Sequence, residues 1–312
     1  MNLDQIMTNS HKLFNAGVVG TRGIGKAHIR EFIKNKYVKN IYVTNSTFEN
    51  SKNSCDQLNN KFNYNLVPVY TVHELAKNVD FVSICTPNET HLELIEIFLE
   101  QNCYVLVEKP IFCIKNISMS ELDKTCKTLF FKANGKLKVN YPTFYYNKIL
   151  RKIGLIDEDI NNFFFLYHTT GRETEKGIAV DLLPHSLSLL MSFFKINDLS
   201  KIKVESKLKK WNCDFYIGKT KCKFNFMHDK TIHSSKLIFG INKMTFERLQ
   251  IDFNNEYKVF LKCNENANQI IPIQNPMSIS IQDALNVCYN NEKFVGEEVF
   301  TSELMYVMKK LV

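Results

Sequence analysis

The chain has 312 residues, of which 45% are hydrophobic and 23% charged, with a formal net charge of +8 at pH 7. This length leaves room for two domains, since a single domain usually contains about 100–200 residues. No segment approaches the ~18 unbroken apolar residues of a membrane helix, and the first residues lack a signal-peptide pattern. The composition therefore predicts a cytoplasmic protein with no membrane partner.

The positive charge is dispersed along the chain. Its densest group of lysines, within residues 201–210, alternates with other residues in a way typical of the exposed face of an edge strand. We therefore expect no nucleic-acid partner and only a general attraction to anionic ligands. Nine cysteines without a CxxC pair predict reduced thiols and no metal site.

From residue 16 to about residue 140, short apolar runs alternate with amphipathic stretches. The apolar runs predict strands, and the stretches between them predict helices over residues 24–35, 51–60, 72–78, 89–101 and 119–133. This alternation is typical of a parallel sheet with crossover helices on both faces. Asn88 is predicted to cap the fourth helix, and Ser118 forms a capping box with Glu121.

After about residue 160 the chain changes to strands of alternating apolar and polar residues, such as KIKVESKLK and KCKFNFMH. Turn signals indicate an antiparallel sheet, and they lie at Gly218-Lys219, Gly240 and Asn254-Asn255. Pro184 predicts that the apolar helix around it begins near residues 181–183, because proline is tolerated in a first turn. Two more helices are predicted around residues 279–289 and 301–311.

A glycine motif follows the first apolar strand and opens the first helix. In a GxGxxG dinucleotide fingerprint the glycines permit a tight turn, close approach of a pyrophosphate and close packing of helix on strand. Arg22 takes the second place here, where Gly23 can compensate and the guanidinium adds positive charge near phosphate. A glycine turn without a ligand is the alternative. The residues predicted at the cofactor are Gly20, Thr21, Arg22, Gly23, Ile24 and Gly25.

The second strand ends in Thr44, Asn45 and Ser46. A carboxylate at this point would bind the ribose hydroxyls of NAD, and none is present. Small hydroxyl and amide groups can accept a 2′-phosphate instead. Asn45 and Ser46 are therefore predicted to bind the cofactor, with NADP favoured and NAD as the alternative.

Residues 79–111 carry two further motifs, a TPN-xx-H turn after the fourth strand and an EKP turn after the fifth. At this spacing the segment resembles the signature of the glucose-fructose oxidoreductase and inositol dehydrogenase family, also called Gfo/Idh/MocA. The resemblance implies a cofactor lying along both turns. The residues that it adds to the cofactor site are Thr86, Pro87, Asn88, His91, Glu108 and Lys109.

The resemblance also implies that Lys109 points into the active site. An ammonium group at the carboxyl end of a parallel strand can polarise a substrate oxygen. A surface lysine in a turn is the structural alternative. Whether Pro110 forms a cis peptide bond is left open by the sequence.

A segment from Gly177 to His185 resembles the substrate-domain segment of the same family. The resemblance implies that Asp181 binds substrate hydroxyls or orients the imidazole, and that His185 is the general acid/base. A histidine suits that role because its unperturbed pKa of ~6.5 lies near neutrality. A helix cap for Asp181 and a core position for His185 are the alternatives. The family's further aspartate is replaced by Ser188, which leaves the substrate undefined.

Two more residues are predicted to contact the substrate. Tyr141 follows the sixth strand, where relatives often carry an arginine, and Arg172 follows the strand NFFFLYHTT. A loop arginine without a ligand is an equal alternative for Arg172. Pairing of two chains through the exposed C-terminal sheet is a further expectation from the resemblance.

The predicted fold class is α/β, with a Rossmann doubly wound parallel sheet followed by an α+β domain with a large open antiparallel sheet. Residues 1–115 are predicted to bind NAD(P) and residues 116–312 to bind a small-molecule substrate, with residues 119–140 packed on the Rossmann sheet. The predicted reaction is hydride transfer between nicotinamide and a carbinol or carbonyl carbon of a sugar, cyclitol or nucleotide-sugar. Imine reduction of a thiazoline-type ring, NAD-dependent glycoside hydrolysis and a non-catalytic dinucleotide sensor are the alternatives.

Overall fold

The computed structural model describes residues 13–115, 117–156, 159–196, 198–253, 256–264 and 269–312. The predicted turn at Asn254-Asn255 lies outside these residues. The chain forms two compact units. The first comprises the chain up to Phe112 with Thr128–Asn140 and Ile281–Glu297, and the second comprises Cys113–Lys127, Tyr141–Ser280 and Glu298–Val312.

The first unit contains a six-stranded parallel sheet in the order β3-β2-β1-β4-β5-β6. Three of its neighbouring strands, β1, β4 and β5, are nearly continuous apolar runs, as expected when helices cover both faces. This doubly wound order confirms the predicted Rossmann sheet and brings the carboxyl ends of the strands to one edge. The strands are β1 (Phe14–Val19), β2 (Val38–Thr44), β3 (Val67–Pro68), β4 (Phe81–Ile84), β5 (Tyr104–Glu108) and β6 (Leu137–Asn140).

The helices follow the predicted amphipathic stretches, with one addition after β6. In α1 the buried residues include His28, Ile29 and Phe32, which share one face by their spacing. The helices are α1 (Ile24–Lys34), α2 (Phe48–Phe62), α3 (Val72–Asn78), α4 (His91–Glu100), α5 (Met119–Ala133), α6 (Tyr145–Lys152), α7 (Lys176–Phe193), α8 (Pro276–Tyr289) and α9 (Glu297–Leu311). None of the described helices is long and apolar enough to cross a membrane.

The second unit contains an eight-stranded sheet in the order β14-β13-β12-β11-β7-β10-β9-β8. Its neighbouring strands are antiparallel, except that β7 and β10 run parallel. The predicted antiparallel sheet is therefore confirmed with one parallel pair in it. The strands are β7 (Asn162–Thr169), β8 (Leu199–Lys207), β9 (Lys210–Ile217), β10 (Thr220–His228), β11 (Lys236–Ile241), β12 (Met244–Phe253), β13 (Glu256–Cys263) and β14 (Gln269–Ile273).

One face of this sheet is a core of aromatic rings covered by α7. Trp211 on β9 is fully buried and stacks on Phe226 of β10 at 5.4 Å between ring centroids. Alternate residues of β10 point to the other face, where Lys221 and Lys223 are exposed. This alternation explains why the period-two pattern of the sequence predicts these strands correctly.

Three local predictions are wrong. Helix α7 begins at Lys176, and Pro184 lies inside it, because the surrounding apolar residues are buried and packing outweighs the missing backbone donor. Gly240 lies within β11 and not in a turn, and glycine is needed there because an added Cβ would lie 1.9 Å from the ring of Phe164 on the neighbouring strand. Asn88 does not cap α4, since it begins a short 3-10 turn and α4 starts at His91.

The packing of α7 on the second sheet is expected to dominate the stability of that unit. Leu190 on α7 is fully buried, and Leu190→Ala should cost about 2–5 kcal/mol by leaving a cavity. Leu208 is 64% exposed, so the matched variant Leu208→Ala should stay within about 0.5 kcal/mol of the original protein. Urea unfolding followed by the fluorescence of Trp211, the single tryptophan, measures both. Equal effects of the two variants would contradict this packing.

Candidate active site

The glycine turn after β1 has the geometry of a nucleotide-binding cradle. Gly20 has a φ of +86°, and an added Cβ would lie 2.9 Å from the carbonyl oxygen of Cys85. An added Cβ on Gly25 would lie 2.0 Å from the carbonyl oxygen of Gly20. Gly23 has a φ of +48°, and an added Cβ there would meet no heavy atom within 4 Å. Gly20 and Gly25 therefore permit close packing, whereas the backbone at Gly23 faces open space.

The amino end of α1 is available to an anion. Gly23 precedes the first helical residue, Ile24, and no side chain caps the helix or places an acid in its first turn. The first amide groups of a helix lack partners within the helix, and the helix dipole favours negative charge there. Arg22 is exposed in the same turn and adds a positive charge. This end of α1 therefore fits a pyrophosphate.

Polar side chains tie the glycine turn to the end of β2. The backbone amide and hydroxyl of Thr21 donate to Oδ1 of Asn45 at 3.0 and 3.1 Å, and the hydroxyl also contacts Oγ of Ser54 at 2.9 Å. The Asn45 oxygen is thus occupied by bonds within the protein. Ser46 is exposed at the end of the strand, where Asn50 donates to its hydroxyl at 3.2 Å.

His91 connects the turns that follow β4 and β5. Its ring is buried, with Nε2 2.8 Å from the carbonyl oxygen of Thr86 and Nδ1 2.9 Å from that of Pro110. Burial lowers the pKa of His91 although both carbonyl oxygens favour the charged ring. Pro87 is exposed, and Asn88 is partly buried beside it. His91 therefore positions both turns from within the protein.

A buried polar network lies beneath the same edge of the sheet. The ring of His28 on α1 bonds Oγ of Ser83 on β4 at 2.8 Å and Oε1 of Glu108 on β5 at 2.9 Å. Asn140 on β6 donates to the same carboxylate oxygen at 2.6 Å. Burial by itself raises the pKa of Glu108, but the bonds from His28 and Asn140 and the charge of Lys109 outweigh burial and lower it.

Sequence reasoning assigned no role to His28, Ser83 or Asn140. A detectable signal exists, because His28 is a polar residue on the apolar face of α1 and Ser83 interrupts an apolar strand. Glu108 was predicted to bind the cofactor. In the structure its carboxylate accepts hydrogen bonds from His28 and Asn140 within the protein. Its carboxylate holds three secondary-structure elements together.

Lys109 is the last motif residue at this edge. It follows β5 directly and is partly exposed, and the Lys109-Pro110 peptide bond is cis. An ammonium at the carboxyl end of a parallel strand lies where such sheets bind ligands. The buried carboxylate of the preceding residue fixes the backbone from which Lys109 extends.

In the second unit, a hydroxyl pair fixes the backbone of His185 on α7. The hydroxyl of Thr143 donates to the carbonyl oxygen of His185 at 2.7 Å and also lies 2.7 Å from the hydroxyl of Ser188. The His185 ring packs edge-on against Tyr167 of β7, with ring centroids 5.2 Å apart. His185 is partly exposed.

Asp181 lies one helical turn before His185, close to a second histidine that sequence reasoning missed. His228 is buried, and its Nε2 lies 3.3 Å from Oδ2 of Asp181 without the alignment of a hydrogen bond. Its ring also fills the space beside Gly171, where an added Cβ would lie 2.3 Å from the ring. No sequence signal marks His228, because it ends a strand remote in sequence from Asp181.

The two remaining predicted substrate residues differ in exposure. Tyr141 is buried and packs against Phe300 with ring centroids 5.6 Å apart. Arg172 is exposed in the segment after β7. Substrate contact by either residue stays a prediction.

The first unit matches a described family. Residues 14–141 match the GFO_IDH_MocA family model, an oxidoreductase family with an NAD-binding Rossmann fold. No curated protein sequence matches the chain.

Solved structures share the fold along almost the whole chain at low sequence identity. A 3-ketoreductase from Actinomadura kijaniata in complex with TDP-benzene and NADP gives a TM-score of 0.71 at 14% identity, with 95% of each chain covered. Scyllo-inositol dehydrogenase from Lactobacillus casei with NAD(H) and scyllo-inositol gives a TM-score of 0.69 at 17% identity, with 96% of each chain covered. UDP-N-acetylglucosamine 3-dehydrogenase from Acidithiobacillus ferrooxidans gives a TM-score of 0.68 at 15% identity, also with 96% of each chain covered.

The buried network is expected to make the first unit sensitive to acid. The folded pKa of Glu108 lies below its ordinary value of 4.5, so its contribution to stability is complete above pH 4.5 and is lost as pH falls through the folded pKa. Glu108→Gln should cost about 1–3 kcal/mol at pH 7. The difference between the two proteins in urea midpoint should shrink as pH falls from 7 to 3. A difference independent of pH would contradict the charged network, and Glu100→Gln on the exposed end of α4 is the control.

Proposed function

Because residues 14–141 match the model of the Gfo/Idh/MocA oxidoreductase family, we propose that the protein transfers hydride between a nicotinamide and a carbinol or carbonyl carbon of a sugar-like substrate. The observation that carries the proposal is the glycine turn before α1. Its close-packed glycines, the open backbone at Gly23 and the uncapped helix end together fit a dinucleotide pyrophosphate.

The proposed cofactor is NADP, with NAD as the alternative. Asn45 has its side-chain oxygen occupied by Thr21, so Ser46 is the small polar group left exposed at the end of β2. The guanidinium of Arg22 is exposed in the neighbouring turn and can pair with a 2′-phosphate. These two residues support NADP over NAD, because neither offers a carboxylate to ribose hydroxyls.

The proposed proton chemistry is assigned to Lys109 and His185. When bound, the nicotinamide would supply or accept the hydride. Lys109 would stabilise negative charge on the substrate oxygen, since a positioned ammonium favours an oxyanion. His185 would take the hydroxyl proton at its ring during oxidation and return it during reduction. Asp181 would bind a substrate hydroxyl or orient the imidazole ring.

The proposed substrate class is a sugar, a cyclitol or a nucleotide-sugar. Support comes from proteins of the same fold, which include an inositol dehydrogenase and a nucleotide-sugar dehydrogenase. The positive net charge of +8 favours an anionic member of this class.

Cofactor binding provides the first test. The protein should bind NADPH more tightly than NADH, and Gly25→Ala should abolish binding because its methyl group would lie 2.0 Å from the Gly20 carbonyl oxygen. Nicotinamide fluorescence on titration measures both affinities. Gly218→Ala is the control, since Gly218 lies in the β9-β10 turn and an added Cβ there would meet no heavy atom within 4 Å. If the original protein bound neither NADPH nor NADH, the proposed function would fail.

Turnover provides the second test, with a panel of sugars, cyclitols and nucleotide-sugars and the change in nicotinamide absorbance as the readout. Lys109→Met and His185→Asn should each lower kcat by about 10²–10³-fold while cofactor binding is retained. Lys132→Met and His73→Asn are matched controls, because both residues are exposed. Unchanged kcat in both active-site variants would remove these residues from the mechanism.

A further inference from the structure

The second unit places a cation on the covered face of its sheet. Arg248 on β12 lies opposite Leu237 of β11 and Leu261 of β13. Directly opposed residues of an antiparallel pair point to the same face, and both leucines are buried. Arg248 therefore projects from the same face as the apolar core.

The surroundings of Arg248 contain phenols where an acid would be expected. Its guanidinium carbon lies 5.8 Å from the centre of the Tyr167 ring, and the guanidinium is hydrogen-bonded to the hydroxyls of Tyr167 and of Tyr146 on α6. Burial raises the pKa of Tyr146 to about 12, so that phenol stays neutral near pH 7 and cannot balance the guanidinium. Within the described part of the chain, no carboxylate forms an ion pair with Arg248.

One donor of Arg248 is left without a partner. Its Nε is shielded from solvent and makes no hydrogen bond. An unpaired polar group shielded from water is costly, and an unpaired charge is more so. Arg248 nevertheless remains partly exposed as a residue. The two phenols accept hydrogen bonds but do not balance the positive charge, and this arrangement is explained if an anion from outside the chain balances it.

The same tyrosine connects Arg248 with the proposed proton carrier. The Tyr167 ring lies 5.2 Å from the His185 ring and 5.8 Å from the guanidinium carbon of Arg248. All three side chains are partly exposed. A ligand group at Arg248 would therefore belong to the molecule on which His185 acts.

We propose that Arg248 and Tyr167 bind a carboxylate of the substrate, so that the substrate is a sugar acid or a related hydroxy acid. This inference rests on the proposed function and narrows its substrate class. The planar fork of arginine donates two parallel hydrogen bonds to a carboxylate. The Tyr167 hydroxyl offers a third donor beside it.

The charge balance favours a carboxylate over a phosphate. One guanidinium balances the single negative charge of a carboxylate, whereas a phosphate monoester carries about −1.5 to −2 at pH 7. Among the described residues no second arginine or lysine is seen to pair with this cluster. A carboxylate is also planar, as the arginine fork requires.

The test compares probes that differ only in a carboxylate. The affinities of D-glucuronate and D-glucose, and of their UDP conjugates, are measured by calorimetry at saturating NADPH. At least one acid should bind the original protein ~10- to 100-fold more tightly than its neutral counterpart, and Arg248→Met should remove that preference. Arg151→Met, at an exposed arginine of α6, is the control and should keep the preference.

The outcomes separate this inference from the proposed function. NADPH and NADH binding are measured on the same samples. If neither cofactor binds, that result contradicts the proposed function and not this inference. With cofactor bound, equal affinity for acid and neutral probes, or no binding of any probe, contradicts the inference. A preference retained in Arg248→Met also contradicts it.

Arg248→Lys covers the case in which the methionine variant does not fold. It keeps the charge and loses the planar fork, so its preference for the acid should be weaker than that of the original protein. A full preference in Arg248→Lys contradicts the inference. If the original protein bound D-glucose 6-phosphate more tightly than D-glucuronate, the site would be a phosphate site, and the assignment of a carboxylate would be overturned.

Discussion

The first unit depends on one buried carboxylate. Glu108 is held by His28 and Asn140, and His28 is held in turn by Ser83. A buried charge is tolerated only when it is paired and hydrogen-bonded, so the three partners have little freedom to move. They come from α1, β4 and β6, while the carboxylate comes from β5. The network therefore fixes the edge of the sheet at which the motifs lie.

That fixed edge explains why the motif turns can act together. His91 joins the turn after β4 to the turn after β5 through Thr86 and Pro110. Thr21 joins the glycine turn to the end of β2 through Asn45. The backbone groups proposed to bind a pyrophosphate are held in place by these bonds within the protein, which would lower the entropy cost of binding.

In the second unit, α7 carries both the apolar packing against the sheet and the side chains Asp181 and His185 that are proposed to act on the substrate. Apolar burial along α7 is large enough to keep Pro184 inside the helix. His185 directly follows Pro184, and the hydroxyl of Thr143 donates to its carbonyl oxygen. On the covered face of the same sheet, the positive charge of Arg248 has no acidic partner among the described residues, which links the packing of the sheet to the substrate proposed for it.

The sequence by itself determined the order and type of most elements and the family resemblance of the N-terminal domain. Strand and helix periods are local, and the glycine, TPN and EKP turns are contiguous motifs, so each can be read without knowing the fold. The match over residues 14–141 confirms the family resemblance. The start of α7 was mispredicted because a local proline rule was outweighed by burial that no local window contains.

Only the tertiary structure decided which polar residues meet. His28 and Glu108 are 80 positions apart, and Asp181 and His228 are also remote in sequence. Arg248 gave no signal, since a single arginine in a strand resembles any solvent-exposed charge until strand register shows the face on which it lies. Contacts of this kind arise from sheet order and packing, which local propensity does not encode.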